Sequence, residues 1–132
     1  MKKFALTKEE RIKSFKIIEV LFKEGKSVKV FPFTIKWIIR SSDKARISVG
    51  FSVPKRFIKK AHLRNLIRRR IKEVLRKNKY IIIKPLHNNN IHIYFFIIYN
   101  TNVVENYTFI NNKLVQTLHV LKNELLADSF SS

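Results

Sequence analysis

Apolar residues in this chain recur at two different periods, and the switches between them mark its elements. Phe15, Ile18 and Phe22 form one seam at helical spacing, while Ile12, Ile17 and Leu21 spread apolar character around the same segment. Thr7-Lys8-Glu9-Glu10 has the T-x-x-E form of a capping box, in which a hydroxyl and a carboxylate satisfy each other's orphan amides. The predicted helix therefore opens at Thr7, runs to about Glu24 and stops at Gly25. From Phe33 the period changes to two. Phe33, Ile35, Trp37 and Ile39 share one face and Thr34, Lys36 and Ile38 the other, as in a strand. Ser41-Ser42-Asp43-Lys44 makes a turn, and ARISVGFSV (45–53) is predicted as the antiparallel partner of that strand. Pro54 closes it, because proline cannot donate to a ladder.

A basic loop, KRFIKK (55–60), leads into a second helical pattern, AHLRNLIRRRIKEVLR (61–76). YIII (80–83) could extend this helix or begin a short strand, and Pro85 with LHNNN (86–90) breaks whatever stands there. IHIYFFIIY (91–99) is apolar on both faces, which suits an interior strand covered on two sides. A last helix is predicted from about Tyr107 to Leu126, with Phe109/Ile110, Leu114, Leu118, Leu121 and Leu125 at helical spacing. Residues 127–132 are expected to fray. The order α-β-β-(β)-α-β-α predicts a single-domain α+β sandwich over residues 1–132, with its structured core in 7–126.

Composition then narrows the class. There is no cysteine, so thiol redox chemistry, zinc thiolates and disulfides are excluded. The N-terminus starts with Lys2 and Lys3 as a signal peptide does, but Lys8, Glu9, Glu10 and Arg11 intervene before any apolar h-region forms. No apolar run reaches the length of a membrane span, so the expectation is a cytoplasmic protein without a membrane partner.

The formal net charge is +19. Mutational bias towards lysine would spread it evenly, and it is not even. Residues 1–84 hold 26 lysines and arginines against six carboxylates, whereas residues 85–132 hold two against three. Six of the nine arginines lie between Arg56 and Arg76. Such concentration points to a basic surface with a polyanionic partner.

On a helical wheel, Leu63, Leu66, Ile67, Ile71, Val74 and Leu75 occupy one side of the 61–76 segment. Arg64, Arg68, Lys72 and Arg76 repeat every fourth residue along the other, with Asn65 and Arg69 beside them. Cations at i,i+4 repel by a few tenths of a kcal/mol per pair, a cost that makes sense if an external anion neutralises the row. Four residues rise about 6 Å, close to the spacing of phosphates along a nucleic-acid strand. Arginine suits this task because its planar fork holds phosphate oxygens bidentately and stacks on bases. A solvated face and a membrane-surface helix are the alternatives; the second is weakened because the apolar side is needed to pack on the strands.

Intrinsic catalysis has little support in the residues. A protein nuclease that binds its own metal ions needs clustered carboxylates, and here they are scattered. His62, His87, His92 and His119 show no ligand spacing, and there is no phosphate-cradling glycine loop. His62 is expected to join the basic face.

Taken in order, the capped helix, F-K-x-G (Phe22–Gly25), V-G-x-S-V (Val49–Val53), P-K-R, and A-H-L-R-N-x-x-R-R (Ala61–Arg69) resemble the protein component of bacterial ribonuclease P. The resemblance extends from about Ala5 to Leu126. It implies an α-β-β-β-α-β-α sandwich, ribosomal-protein-like, with a left-handed βαβ crossover, an exception to the usual hand. It also implies a role as the non-catalytic subunit of an endoribonuclease whose RNA uses Mg²⁺ to remove the 5′ leader of precursor tRNA; no cofactor is held tightly by the protein. By matching positions, Arg64, Asn65, Arg68, Arg69 and Lys72 would face the catalytic RNA, and Lys55 and Arg56 match the family's basic pair after the strand. Arg76, which continues the cation row, and Lys59 and Lys60 of the basic loop are expected to join them. Phe22, Phe15, Thr34, Lys36 and Ser52 would line a cleft for the single-stranded leader, where flat apolar platforms beside basic groups bind bases. Phe15 has ordinary core packing as its alternative. The rival function is a structural RNA-binding protein, such as a ribosomal protein, without a substrate.

Three departures from the family pattern stand out. The usual R-N-R has Leu66 in place of its second arginine, and Arg70 stands four residues later, where leucine is common. Arg70 could reach back along its stem to deliver a guanidinium near the vacated place. Otherwise it snorkels to solvent or pairs with Glu73. Ile18 replaces an aromatic one turn before Phe22, which implies weaker stacking on the leader.

Overall fold

The computed structural model describes residues 10–12, 14–86 and 89–130, without the side chains of 128–130. The period-two segments become four strands of one sheet in the order β1-β2-β4-β3. Along the chain these are β1 (Lys26–Val30), β2 (Phe33–Ser41), β3 (Arg46–Ser52) and β4 (Ile91–Tyr99). The helices are α1 (Phe15–Glu24), α2 (Ala61–Asn78), α3 (Tyr80–Leu86) and α4 (Tyr107–Phe130). This is the expected α+β sandwich. Among the described residues no helix is long and apolar enough to cross a membrane.

The strand that is apolar on both faces takes the interior, as its composition requires. β4 pairs antiparallel with β2, from Phe33↔Tyr99 to Ser41↔Ile91, and parallel with β3, from Arg46↔His92 to Ser52↔Ile98. The predicted β2–β3 hairpin is therefore corrected: β4 lies between those two strands. The 41–44 link crosses over the entry of β4, and Ser42 donates its N–H to the Asn90 carbonyl at 3.0 Å. Its residues can span the ~10 Å between next-but-one strands, so a local turn signal could not distinguish the two pairings. β1, for which the periodicity named no strand, pairs antiparallel with β2 and forms one edge.

Alternation along the strands sorts two cores. On one face Phe33, Ile35, Trp37, Ile47, Val49, Ile93, Phe95 and Ile97 pack with Ile67, Ile71, Val74 and Leu75 of α2. Ile81, Ile82 and Leu86 of α3 and Ile110, Leu114, Leu118, Leu121 and Leu125 of α4 complete that layer. On the other face Leu21 of α1 buries against Ile38 and Phe96, with Ile12, Ile17, Ile18 and Val20 around them. α1 is thus the sole described helix on its side, and it leaves part of the sheet uncovered.

Helix boundaries depart from expectation where long-range partners compete. Thr7 lies outside the described residues, and Glu10 is in a turn rather than in a helix. The Glu10 carbonyl accepts the Val49 N–H at 2.7 Å and the Ile12 N–H donates to the Val49 carbonyl at 3.1 Å. Residues 10–12 thereby cover the otherwise open edge of β3, a use of their backbone that a helix would forgo. α1 starts instead at Phe15, where the Ser14 hydroxyl accepts from the Ile17 N–H at 3.3 Å. Gly25 does end the helix. A Cβ there would lie 2.3 Å from the Leu21 carbonyl oxygen, so only glycine permits the immediate step into β1. Residues 80–86 form a separate short helix rather than a strand or a continuation of α2. At the other end of the chain α4 continues to Phe130, and residues 131–132 lie outside the described residues.

Candidate nucleic-acid interface

Strand register builds the first part of the site. Ser27, Lys36, Phe96 and Gly50 line up across the four strands, and Lys29, Thr34, Ile98 and Ser52 form the next row. Directly paired residues point to one face, here the face that carries α1. The Phe15/Ile18/Phe22 side of α1 borders these rows, with the Phe22 ring meeting Phe96 edge-on at 5.5 Å and 67°. Phe22 remains 46% exposed and Phe15 73% exposed, so Phe15 is not a core residue. Lys36 donates to the Ser27 hydroxyl at 3.1 Å. Thr34 is the exception among the expected cleft residues: it is only 8% exposed, and its hydroxyl accepts from the Asn100 amide at 2.7 Å. Thr34 supports the floor more than it forms the surface.

Gly50, quoted within V-G-x-S-V, acquires a reason. A Cβ there would lie 2.7 Å from the Phe96 ring. The missing side chain lets Phe96 lean over β3, where it backs Phe22. Ile98 and Asn100 are partly exposed at this surface, with Phe96 buried beneath it; the uniform apolarity of β4 hid this sorting from sequence inspection.

The second part begins where β3 ends. Val53 and Ile58 are buried and pin the 55–60 loop from beneath, leaving Lys55, Arg56, Lys59 and Lys60 exposed. The Pro54 carbonyl accepts the N–H groups of Phe57 and Ile58, both at 3.1 Å. Arg64 then donates to the carbonyls of Ile58 and Lys59 at 2.9 and 2.8 Å, locking the loop against the first turn of α2. That turn holds no acidic residue, so the positive end of the helix dipole adds to the loop cations. Asn65, Arg69 and Lys72 are exposed, and Asn65 accepts from Arg68 at 2.6 Å. None of these hydrogen bonds cancels a charge.

The ribonuclease P family model matches residues 6–122. The chain belongs to the ribonuclease P protein family. The ribonuclease P protein component of Porphyromonas gingivalis is 31% identical over 90 residues, 67% of this chain. The match spans 66% of that relative's length. The fold resembles the ribonuclease P protein of Staphylococcus aureus, at 24% identity and a TM-score of 0.68, over 87% of this chain and 97% of that one. It also resembles the protein of Thermotoga maritima, at 24% identity and a TM-score of 0.66, over 84% and 96% of the two chains.

Against the family's motif, Arg70 has its own use. Its guanidinium donates to the Glu105 carbonyl in the loop between β4 and α4. The same loop is organised by Tyr99, which donates to the Val103 carbonyl at 2.6 Å and accepts the Glu105 N–H at 3.1 Å. Arg70 thus fastens that loop to α2 in this structure. Glu73 pairs not with Arg70 but with Arg76, through bonds of 2.9 and 2.6 Å, with Lys77 at 3.5 Å. Chiefly the hydrogen bond from Arg76 holds the Glu73 carboxyl down at about 2, so it stays ionised and offsets Arg76. Among the described residues, the part of the row without a carboxylate partner is Arg64, Arg68, Arg69 and Lys72.

His92 is a strand residue: it shares a 2.8 Å hydrogen bond with the Ser48 hydroxyl and stacks on Tyr94 at 3.9 Å. Burial first, and then Arg46, push its pKa down. His62 and His119 are exposed, and His87 lies outside the described residues. Among the described residues no three His, Asp or Glu side chains are grouped to hold a metal ion.

Proposed function

We propose that this chain is the protein subunit of a cytoplasmic ribonuclease P, promoting removal of the 5′ leader from precursor tRNA. Its exposed loop cations and the α2 row bind the catalytic RNA. The exposed Phe22 ring, backed by the buried Phe96, holds the single-stranded leader together with Lys36 and Ser52. Family membership supports the assignment, and the observation that carries the division of labour is continuity. Ser52 ends the sheet rows, and Lys55 and Arg56 follow it directly on the way to α2. One RNA can therefore leave the platform at the point where the other is gripped.

Platform and row suit different states of RNA. Stacking on flat apolar rings is tolerant of sequence but needs unpaired bases. Arginines and lysines at helical spacing need only phosphates and bind a folded RNA through its backbone. Bond cleavage, and the Mg²⁺ it uses, is assigned to the RNA subunit, in keeping with the scattered carboxylates of the chain. The protein contributes binding energy and lowers the Mg²⁺ needed by supplying positive charge of its own.

The test is reconstitution with ribonuclease P RNA at low Mg²⁺ and precursor tRNAs of graded leader length. Cleavage should be stimulated, and more strongly as the leader lengthens to cover the platform. No stimulation would sink the assignment. Stimulation indifferent to leader length would leave a merely structural RNA-binding role.

A further inference from the structure

Three phenylalanines stand among the exposed large apolar residues: Phe15 at 73%, Phe31 at 68% and Phe22 at 46%. Two of them flank the platform from α1. Phe31 comes from a different element, the tip of the β1–β2 hairpin, between the paired residues Val30 and Phe33. It contributes nothing to either core. A single exposed ring would need no explanation. Its position does, because the row Ser52–Ile98–Thr34–Lys29 crosses the sheet from the basic loop to this hairpin.

The tip is also held in place. The Pro32 carbonyl accepts the Asn100 N–H at 2.7 Å, and the Asn100 side chain donates to Thr34 at 2.7 Å. The bulk of Phe31 is thus presented on a hairpin braced against the end of β4. Lys29 is exposed two residues before it. From Ser52 to the β1 edge the row spans three strand spacings, about 14 Å. That is enough for more than one nucleotide of an extended strand.

We infer that Phe31 is a second base-stacking platform, taking a nucleotide of the leader farther from α2 than the one on Phe22. The inference rests on the leader-binding function proposed above. A strand leaving the loop side passes over Ile98 and Thr34 and reaches Lys29, whose ammonium faces a phosphate, before its base meets the Phe31 ring. Ile18, standing where the family pattern has an aromatic, leaves α1 with less stacking area, and Phe31 lengthens the contact at the opposite border.

The measurement is affinity of the reconstituted holoenzyme for precursor tRNAs shortened one leader nucleotide at a time, with Phe31→Ala, Phe31→Trp and Phe22→Ala. For a long leader, Phe31→Ala should weaken binding about 5- to 150-fold, the cost of one base–aromatic stack. Phe31→Trp should retain affinity. The Phe31→Ala loss should vanish at a leader length at which the Phe22→Ala loss persists. Wild-type affinity of Phe31→Ala for the long leader overturns the inference while leaving the leader platform intact. A wild-type holoenzyme insensitive to leader length removes both. Because Phe31 is exposed and outside the cores, folding of the alanine variant is checked simply by an unchanged melting transition.

Discussion

At the scale of single residues, the positions that looked like RNA contacts divide by what already holds them. Arg64 keeps its charge unpaired by any described carboxylate while its hydrogen bonds fix the preceding loop. Its removal should therefore cost both affinity and loop order. Arg76 is offset by Glu73, which no wheel of cations reveals, because the partner is chosen by rotamer rather than spacing. Arg70 is the sharpest case. Its spacing placed it at the border of the core, and only the return of the chain at Glu105 showed what it binds. Arg70→Leu should lower stability by about 1–3 kcal/mol, the cost of a lost charge-assisted bond and an unsatisfied carbonyl. Urea unfolding of the free protein checks this, and affinity for the catalytic RNA should stay within about twofold. A large affinity loss at unchanged stability would restore the idea that Arg70 stands in for the cation missing at Leu66.

At the scale of elements, legibility followed the range of the deciding interaction. The inward faces of β2 and β4 and the apolar side of α2 were readable, since period and burial are local consequences of one another. The α1 start was not. T-x-x-E is a local signal, and the described part of its segment is bonded to the β3 edge, which is remote in sequence. The β2–β3 pairing failed for the same reason: a turn signal cannot exclude a third strand arriving from residue 91. The role of Gly50 was equally invisible, although its motif was noticed. Gly50→Ala should press on the Phe96 ring, with overpacking of about 1–3 kcal/mol unless the ring moves. Either response should disturb Phe22 and weaken precursor binding while sparing affinity for the catalytic RNA. Unaltered precursor binding with full stability would show that the platform does not depend on this contact.

At the scale of the whole molecule, the charge asymmetry along the chain becomes a spatial one. The C-terminal residues that lack net positive charge form β4 and α4, which build the interior of the sheet and the helical layer beneath it. The basic residues of 55–72 surround the start of α2, beside the platform on the other face. The fold thus joins a surface for phosphates to a surface for unpaired bases at one end of the sheet. The most direct test compares Phe22→Ala with the double variant Arg69→Gln/Lys72→Gln in two titrations, one against catalytic RNA and one of precursor tRNA against saturated holoenzyme. Phe22→Ala should leave the first unchanged and weaken the second by about 1–3 kcal/mol. The double variant should weaken the first and lower its log–log salt slope by about 1.4–1.8. If both variants weaken both titrations equally, the two surfaces are not distinct and the account of the interface is wrong.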